Sequence, residues 1–266
     1  MSTQDVAFSG SIPAIYDRYL ADLLFLPYAE DMAHRVADLR PDSILETAAG
    51  TGLATAAIVR QVVDGRLVAT DLNQAMLDVA AQRVKSANVE FRAADAQSLP
   101  FPDGSFDVVA CQFGMMFLPD RASGYREARR VLRPGGQFIF NVWDRLGESP
   151  IAEVVFEAVR GLFPDDPPGF FTRVPWGYFD TDQLREDVSA AGFEIIAVDT
   201  VRMRSRAASP KEAAIGLCQG TPLRAEIEAR GDLSTATEVA AEALAQRYGT
   251  GTLEESMSAH VITAEG

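Results

Sequence analysis

The feature that most constrains this chain is the segment Ser43–Gly52, whose sequence is SILETAAGTG. A short apolar run ends on the carboxylate Glu46, small residues with two glycines follow, and an apolar helical pattern begins at Leu53. A strand that leads through a tight small-residue loop into a helix lets backbone approach a nucleotide-like ligand at the helix N-terminus. The segment therefore predicts a nucleotide-type site at the end of the first strand.

Short apolar strands alternate with helical patterns after this segment. The alternation predicts a parallel, doubly wound α/β sheet. Its predicted strands are 44–45, 66–70, 89–93, 106–111 and 137–142, and the helices between them are 53–62, 73–85 and 125–132. We expect the run 133–136, RPGG, to end the last of these helices, because its glycines favour a left-handed cap.

The flanking segments differ in pattern from this core. Residues 12–39 predict two helices with Pro27 between them, and the region beyond Trp143 alternates helices with an aromatic, proline-rich loop at 163–171. A helix over 182–191, a strand over 193–203, an alanine-rich helical stretch over 209–248 and a strand over 257–264 complete the chain. The length of 266 residues fits one elaborated domain.

Charge and composition exclude several classes of function. The 24 basic and 38 acidic residues give a net charge of −14, which opposes binding to a phosphate backbone. The basic run Arg126–Arg133 suits the last turn of an amphipathic helix. No apolar run approaches the roughly eighteen residues of a membrane span. The two distant cysteines and two scattered histidines predict neither a disulfide nor a metal site, and we expect a cytoplasmic location.

Three carboxylates occupy the same place relative to the predicted strands. Glu46, Asp71 and Asp95 each follow a strand, so a parallel sheet brings them to its carboxyl edge, where ligands bind. Asp71 can accept hydrogen bonds from a ribose diol, and Asp95 can accept one from the exocyclic amine of adenine. A nicotinamide dinucleotide fits less well, because Thr55 stands where its loop needs a third glycine and because Glu46 would repel a pyrophosphate. A phosphate-free nucleoside with a cationic group fits better.

These motifs identify a resemblance that covers about residues 42–144. The stretches ILETAAGTG, ATDLNQAML, ADAQSLPF, SFDVV and RRVLRPGG resemble, in order and spacing, the class I S-adenosylmethionine-dependent methyltransferases of the small-molecule, ubiquinone/menaquinone-biosynthesis-like branch. The resemblance implies a Rossmann-like, seven-stranded, mostly parallel sheet whose last strand is antiparallel, with helical cap insertions. Ala48 departs from the family pattern, which has glycine there, so we expect binding to survive with slightly altered loop packing.

The resemblance also implies a domain plan and a set of cofactor-binding residues. Residues 1–266 would form a single methyltransferase domain with a cofactor-binding core at 40–145 and cap or substrate elements at 1–39, 146–178 and 206–250. Glu46 and the loop backbone would face the methionine moiety, Asp71 the ribose, and Asp95 the adenine edge. The full set implied to contact S-adenosylmethionine, or S-adenosylhomocysteine as product, is Tyr16, Glu46, Thr47, Ala48, Gly50, Asp71, Leu72, Met76, Asp95, Ala96, Gln112 and Phe113.

The predicted function is methyl transfer to a small-molecule acceptor, apolar or aromatic in view of the aromatic segment 143–179. The alternative is a catalytically silent S-adenosylmethionine-binding regulator or subunit. His34, His260, Tyr16, Tyr178 and Asp144 are the candidates for a base, and the sequence selects none of them as catalytic. The sequence leaves open the acceptor, the choice between oxygen, nitrogen and carbon methylation, the need for a base, and whether the chain forms a homodimer.

Overall fold

The computed structural model describes residues 10–266, which divide into two compact units. One unit contains residues 10–27, Asp144–Gly177 and Arg202–Ser258. The other contains Tyr28–Trp143, Tyr178–Val201 and Ala259–Gly266. The first nine residues of the predicted cap element 1–39 lie outside the described part. The division into one domain with cap elements remains a prediction.

Within the described residues, seven strands form one sheet in the order β3-β2-β1-β4-β5-β7-β6. Strands β1 to β5 pair in parallel, and β7 pairs with β5 in antiparallel orientation. This confirms the predicted Rossmann-like, mostly parallel sheet with an antiparallel last strand. The strands are β1 (Ser43–Glu46), β2 (Arg66–Asp71), β3 (Val89–Ala93), β4 (Phe106–Gln112), β5 (Leu132–Trp143), β6 (Glu194–Ala207) and β7 (Leu253–Glu265).

Helices connect and flank these strands. Carboxylates start several of them: Asp120, Asp180 and Asp232 each accept a backbone N–H of the first helical turn. No helix in the described part is long and apolar enough to cross a membrane. The helices are α1 (Ile12–Leu20), α2 (Leu26–Asp38), α3 (Leu53–Gln61), α4 (Gln74–Arg83), α5 (Arg121–Val131), α6 (Pro150–Leu162), α7 (Phe170–Arg173), α8 (Thr181–Ala190), α9 (Pro210–Gln219), α10 (Leu223–Glu228) and α11 (Leu233–Tyr248).

Alternate side chains of β5 show that helices cover both faces of the sheet. Phe138 and Phe140 lie against Tyr125 of α5, with ring centroids 6.2 and 5.5 Å away. Trp143 lies against Tyr28 of α2, at 5.4 Å. Because successive residues of a strand point to opposite faces, α5 and α2 pack on opposite sides of the sheet. This is the arrangement of a doubly wound fold.

Three local predictions are wrong. The run 133–136 does not cap the helix before β5, because α5 ends at Val131, Leu132 is already extended, and 133–136 lie inside β5. The helices predicted on either side of Pro27 are not separated there, because a π-helical turn, Ala21–Phe25, joins α1 directly to α2. Proline lacks only the N–H that the first residues of a helix do not need, so Pro27 is tolerated at the second position of α2. Strand β5 begins at Leu132, five residues before the predicted 137, because Leu132 pairs with Phe106 ahead of a bulge.

In the unit that contains Asp144–Gly177, aromatic side chains form a small core of their own. Phe171 stacks on Phe156 with centroids 5.1 Å apart and lies 4.9 Å from Trp176, and all three side chains are buried. Glu226 holds the start of this segment by accepting the backbone N–H groups of Gly169 and Phe170 at 2.8 and 3.0 Å. These rings therefore stabilise their own unit.

Candidate functional site

The loop after β1 is held in place by backbone hydrogen bonds from both neighbouring strands. The N–H of Thr47 donates to the carbonyl of Ala110 on β4, and the N–H of Ala49 donates to that of Thr70 on β2, both at 2.9 Å. Gly50 has a φ of +56°, and a Cβ there would meet no atom within 4 Å. At Gly50 the loop backbone therefore carries no side chain in front of α3, which suits the close approach of a ligand.

Glu46 ends β1 as a buried carboxyl group. Its side chain is 1% exposed, and its Oε2 atom has no hydrogen-bond partner within the described residues. Burial raises its pKa from an ordinary 4.5 to about 8, the charge of Asp71 adds to the rise, and Thr55 offsets part of it. A buried carboxyl oxygen without a partner is costly, so the site fits a ligand that brings a cationic donor.

Asp71 ends β2 and braces the same loop. Its Oδ2 accepts the N–H of Gly50 at 2.9 Å, and its Oδ1 accepts the N–H of Asn73 at 2.8 Å. Burial raises the pKa of Asp71, and these backbone hydrogen bonds offset part of the rise. Each carboxylate oxygen keeps a second lone pair, so Asp71 can hold the loop and still accept two hydrogen bonds from a diol.

The other predicted nucleoside contacts lie beyond β2 and β3. Leu72 is 59% exposed, so it offers apolar surface directly after Asp71, whereas Met76 is buried in α4. Asp95 lies two residues past β3, and its Oδ1 accepts the backbone N–H of Gln97 at 2.8 Å. Asp95 and Ala96 are half-buried.

The end of β4 packs directly on the first loop. Phe113 follows Gln112 with a φ of +53°, a left-handed conformation that is uncommon outside glycine. A Cβ on Gly114 would lie 2.5 Å from the Cβ of Ala48, which itself has a φ of +52°. The methyl group at the family's glycine position therefore lies against Gly114, and this contact accommodates the departure at Ala48.

Phe113 also belongs to an aromatic cluster at this edge of the sheet. Its ring stacks on Trp143 with centroids 3.8 Å apart and meets Tyr28 edge-on at 5.3 Å. Its backbone N–H donates to Oδ1 of Asn141 on β5 at 2.8 Å. Asn141 is not among the predicted site residues, although an asparagine inside the apolar run FIFNVW is a signal for it.

All the predicted site residues except Tyr16 belong to one unit. The ends of β1, β2 and β4 meet at the carboxyl edge, and the residues on these elements share one unit. Tyr16 belongs to the other unit, where it stacks on Phe25 with centroids 4.8 Å apart.

The candidate bases are held by other interactions. The hydroxyl of Tyr178 donates to Asp187 at 2.6 Å, and Nδ1 of His260 lies 3.0 Å from the hydroxyl of Thr200. Asp144 accepts the hydroxyl of Ser258 at 3.0 Å, and His34 lies on α2 beside Gln61. Across residues 10–266, no group of three or more His, Cys, Asp or Glu side chains has the geometry of a metal site.

Comparison with known proteins agrees with this arrangement. A family model described as a methyltransferase domain matches residues 45–140. A ubiquinone/menaquinone biosynthesis C-methyltransferase of Escherichia coli is 36% identical over 171 residues, which are 59% of this chain and 68% of that protein. The protein of the same description from Enterobacter is 38% identical over 105 residues, which are 38% of this chain and 42% of the Enterobacter protein.

A solved structure from Bacillus halodurans, to which a methyltransferase activity is provisionally ascribed, shares the fold with a TM-score of 0.58 at 20% identity. The superposition covers 89% of this chain and 97% of that one. The chain belongs to the class I S-adenosylmethionine-dependent methyltransferase family of enzymes, in its ubiquinone/menaquinone-biosynthesis-like branch. The predicted enzyme class is confirmed.

Proposed function

We propose that this chain transfers the methyl group of S-adenosylmethionine to a small organic acceptor. The observation that carries the proposal is the pair of buried carboxyl groups, Glu46 and Asp71, at the carboxyl ends of adjacent parallel strands. Glu46 has an oxygen without a partner, and Asp71 is already oriented by two backbone N–H groups. A sulfonium nucleoside offers a cationic amino group for the first and a ribose diol for the second.

The remaining cofactor contacts follow from the same edge of the sheet. Gly50 leaves room for the methionine moiety and Leu72 offers an apolar surface for the adenine. We assign the adenine edge to Asp95 and Ala96 on the resemblance. We assign Thr47, Ala48, Met76, Gln112 and Phe113 to the same site on the resemblance, and the contact that the resemblance implies for Tyr16 stays a prediction. When bound, the cofactor supplies an electrophilic methyl group, and the protein contributes mainly proximity and orientation.

We propose further that the acceptor is an oxygenated ring that is methylated on carbon. The relatives are described as C-methyltransferases of ubiquinone and menaquinone biosynthesis, and the products of those pathways carry oxygenated rings. Phe113 and Trp143, whose buried rings stack beside the end of β4, support this choice, because they make this end of the strand apolar. We assign no general base. Two free, buried cysteines, Cys111 and Cys218, support a reducing compartment such as the cytoplasm.

Calorimetry and a turnover assay test this proposal. We expect S-adenosylhomocysteine to bind the wild-type protein and to bind Glu46→Gln about tenfold or more weakly, because a hydrogen bond to a charged group is worth about 1.5–3 kcal/mol. A thermal-shift screen with S-adenosylhomocysteine present would select ring acceptors, and transfer of a labelled methyl group to carbon would be detected by mass spectrometry. The Asp107→Asn variant, altered at the opposite edge of the sheet, is the matched control and should bind normally.

Two results would contradict the proposal in different ways. Absence of S-adenosylhomocysteine binding to the wild-type protein would reject the cofactor site. Normal binding without transfer to any phenol, quinol, amine or carboxylate of the screen would favour the silent S-adenosylmethionine-binding regulator instead.

A further inference from the structure

Asn141 is a fully buried polar side chain in the middle of the sheet. It lies on β5 at 0% exposure, opposite Gln112 of β4 on one side and Val261 of β7 on the other. Its neighbours along the strand, Phe140 and Val142, are apolar and buried. A buried amide must satisfy its hydrogen-bonding groups or bear the cost of desolvation.

The amide oxygen of Asn141 has a hydrogen-bond partner, and this hydrogen bond fixes the orientation of the amide. The backbone N–H of Phe113 is a donor, so the amide atom 2.8 Å from it must be the oxygen, Oδ1. The amide nitrogen, Nδ2, then points away from Phe113 and has no hydrogen-bond partner within the described residues. The hydrogen bond also holds Phe113 in its left-handed conformation. The orientation of the Asn141 amide is therefore set by Phe113, and within residues 10–266 its donor is unpaired.

The position of Asn141 separates it from the two carboxyl groups of the proposed cofactor site, although Gln112 and Phe113, assigned to that site on the resemblance, adjoin it. Glu46 and Asp71 end β1 and β2, whereas β5 lies on the other side of β4. Neighbouring strands are about 4.8 Å apart, so β5 lies about 10 Å from β1 across the sheet. Asn141 shares its face of β5 with Trp143, whose ring stacks on Phe113. The unpaired donor thus lies on the β4–β5 side, next to the stacked rings of Phe113 and Trp143.

We propose that Nδ2 of Asn141 donates a hydrogen bond to an oxygen atom of the methyl acceptor. This inference rests on the proposed function and narrows it. The acceptor carries a carbonyl or ionised hydroxyl oxygen on its ring, and Asn141 selects such rings over rings that lack the oxygen. Oδ1 accepts the backbone N–H of Phe113. The same side chain therefore orients the acceptor relative to the stacked rings of Phe113 and Trp143.

A pair of ring compounds that differ by one oxygen tests this role. The protein is saturated with S-adenosylhomocysteine, and the affinities of 1-tetralone and tetralin are measured by calorimetry. We expect the wild-type protein to prefer 1-tetralone about fivefold to tenfold, as one neutral hydrogen bond allows. Asn141→Leu should abolish this preference, even where the loss of Oδ1 also changes the affinity for tetralin. The control Asn88→Leu, at an exposed asparagine, should retain the preference.

The ratio of the affinities for 1-tetralone and tetralin distinguishes the loss of a hydrogen bond from a purely structural effect of the substitution. A disturbed Phe113 turn would weaken both compounds alike, whereas loss of the donor weakens only 1-tetralone. Asn141→Ala gives the same comparison with a smaller side chain. Crystals of the wild-type ternary complex need no variant, and we expect a distance of about 3 Å between Nδ2 and the ketone oxygen.

Each contrary result has a distinct meaning. A wild-type protein that binds S-adenosylhomocysteine but does not prefer 1-tetralone, or a preference that survives in Asn141→Leu, overturns the role of Asn141 and leaves the proposed function intact. Failure to bind S-adenosylhomocysteine overturns the proposed function itself.

Discussion

Two carboxylates on the paired strands β1 and β4 lie at opposite edges of the sheet and have opposite environments. Glu46, at the carboxyl end of β1, is buried, and its pKa is raised to about 8. Asp107, near the amino end of β4, accepts the N–H of Asp42 and both the N–H and the hydroxyl of Ser43 at 2.7–3.1 Å, and it pairs with Arg133. Burial alone would raise its pKa, but Ser43 and Arg133 together lower it.

The difference distinguishes a carboxylate whose partners come from the fold itself from one that we propose as a ligand contact. The donors around Asp107 come from the chain itself, so its ionised form is stabilised in the folded protein. Among the residues that the structure describes, no donor reaches the oxygen Oε2 of Glu46, so the fold bears the cost of its burial. A family whose cofactor carries a cationic amino group explains why that cost is retained at one edge only.

The largest expected effect at the ligand edge is that of Asp71→Ala. This change removes both the proposed ribose acceptor and the brace to Gly50, so S-adenosylhomocysteine affinity should fall about tenfold to a hundredfold. Calorimetry measures the loss. Asp71→Asn keeps one acceptor oxygen and should lose less. Equal affinity in wild type and Asp71→Ala would remove Asp71 from the site.

The raised pKa of Glu46 predicts a pH dependence at the same edge. The carboxyl group is largely protonated at neutral pH, and a cationic amino group binds its ionised form. Affinity for S-adenosylhomocysteine should therefore increase from pH 6 to pH 8, by at most about tenfold per pH unit, and then level off. Glu46→Gln should bind more weakly and without this dependence. An identical pH profile in the variant would contradict the assignment.

The raised pKa of Glu46 also makes the free energy of unfolding depend on pH. The folded protein holds the Glu46 proton between an ordinary 4.5 and about 8, whereas the unfolded chain releases it. The contribution of Glu46 to the free energy of unfolding should therefore decrease as the pH rises through this interval. Denaturant titrations of wild type and Glu46→Gln at several pH values would measure the difference.

The next prediction concerns the packing of the loop after β4 on the loop after β1. Gly114→Ala places a methyl group 2.5 Å from the Cβ of Ala48 and 2.6 Å from the Sγ of Cys111, so we expect a loss of about 1–3 kcal/mol in the free energy of unfolding. Ala48→Gly should restore part of it by removing one of the two clashes. Gly161→Ala, where a Cβ would meet no atom within 4 Å, is the control. Lack of any rescue would show that the Ala48 contact is not the limiting one.

The smallest effect is expected at the opposite edge. Asp107→Asn keeps one oxygen but loses the charge that Arg133 and the Ser43 donors share, so the free energy of unfolding should fall by about 1–2 kcal/mol near neutral pH. The lowered pKa means that this difference should disappear as the pH falls through the titration of Asp107. Affinity for S-adenosylhomocysteine should not change, and a tenfold loss would break the distinction between the two edges.

The sequence by itself determined the sheet and the cofactor edge. Alternating strand and helix patterns identify a parallel sheet, and the carboxyl ends of parallel strands necessarily share an edge, so Glu46 and Asp71 had to meet. Local propensity did not reveal the π-helical junction at Ala21–Phe25 or the early start of β5, since pairing and packing with distant residues decide both.

Only the tertiary structure decided how each polar group is satisfied. Nothing in the segment SILETAAGTG indicates that Glu46 keeps an oxygen without a partner, or that the methyl of Ala48 rests on Gly114. The unused donor of Asn141 likewise depends on Phe113, 28 positions earlier in the chain. Hydrogen-bond partners and steric neighbours come from residues far apart in sequence, so they become visible only when the strands are side by side.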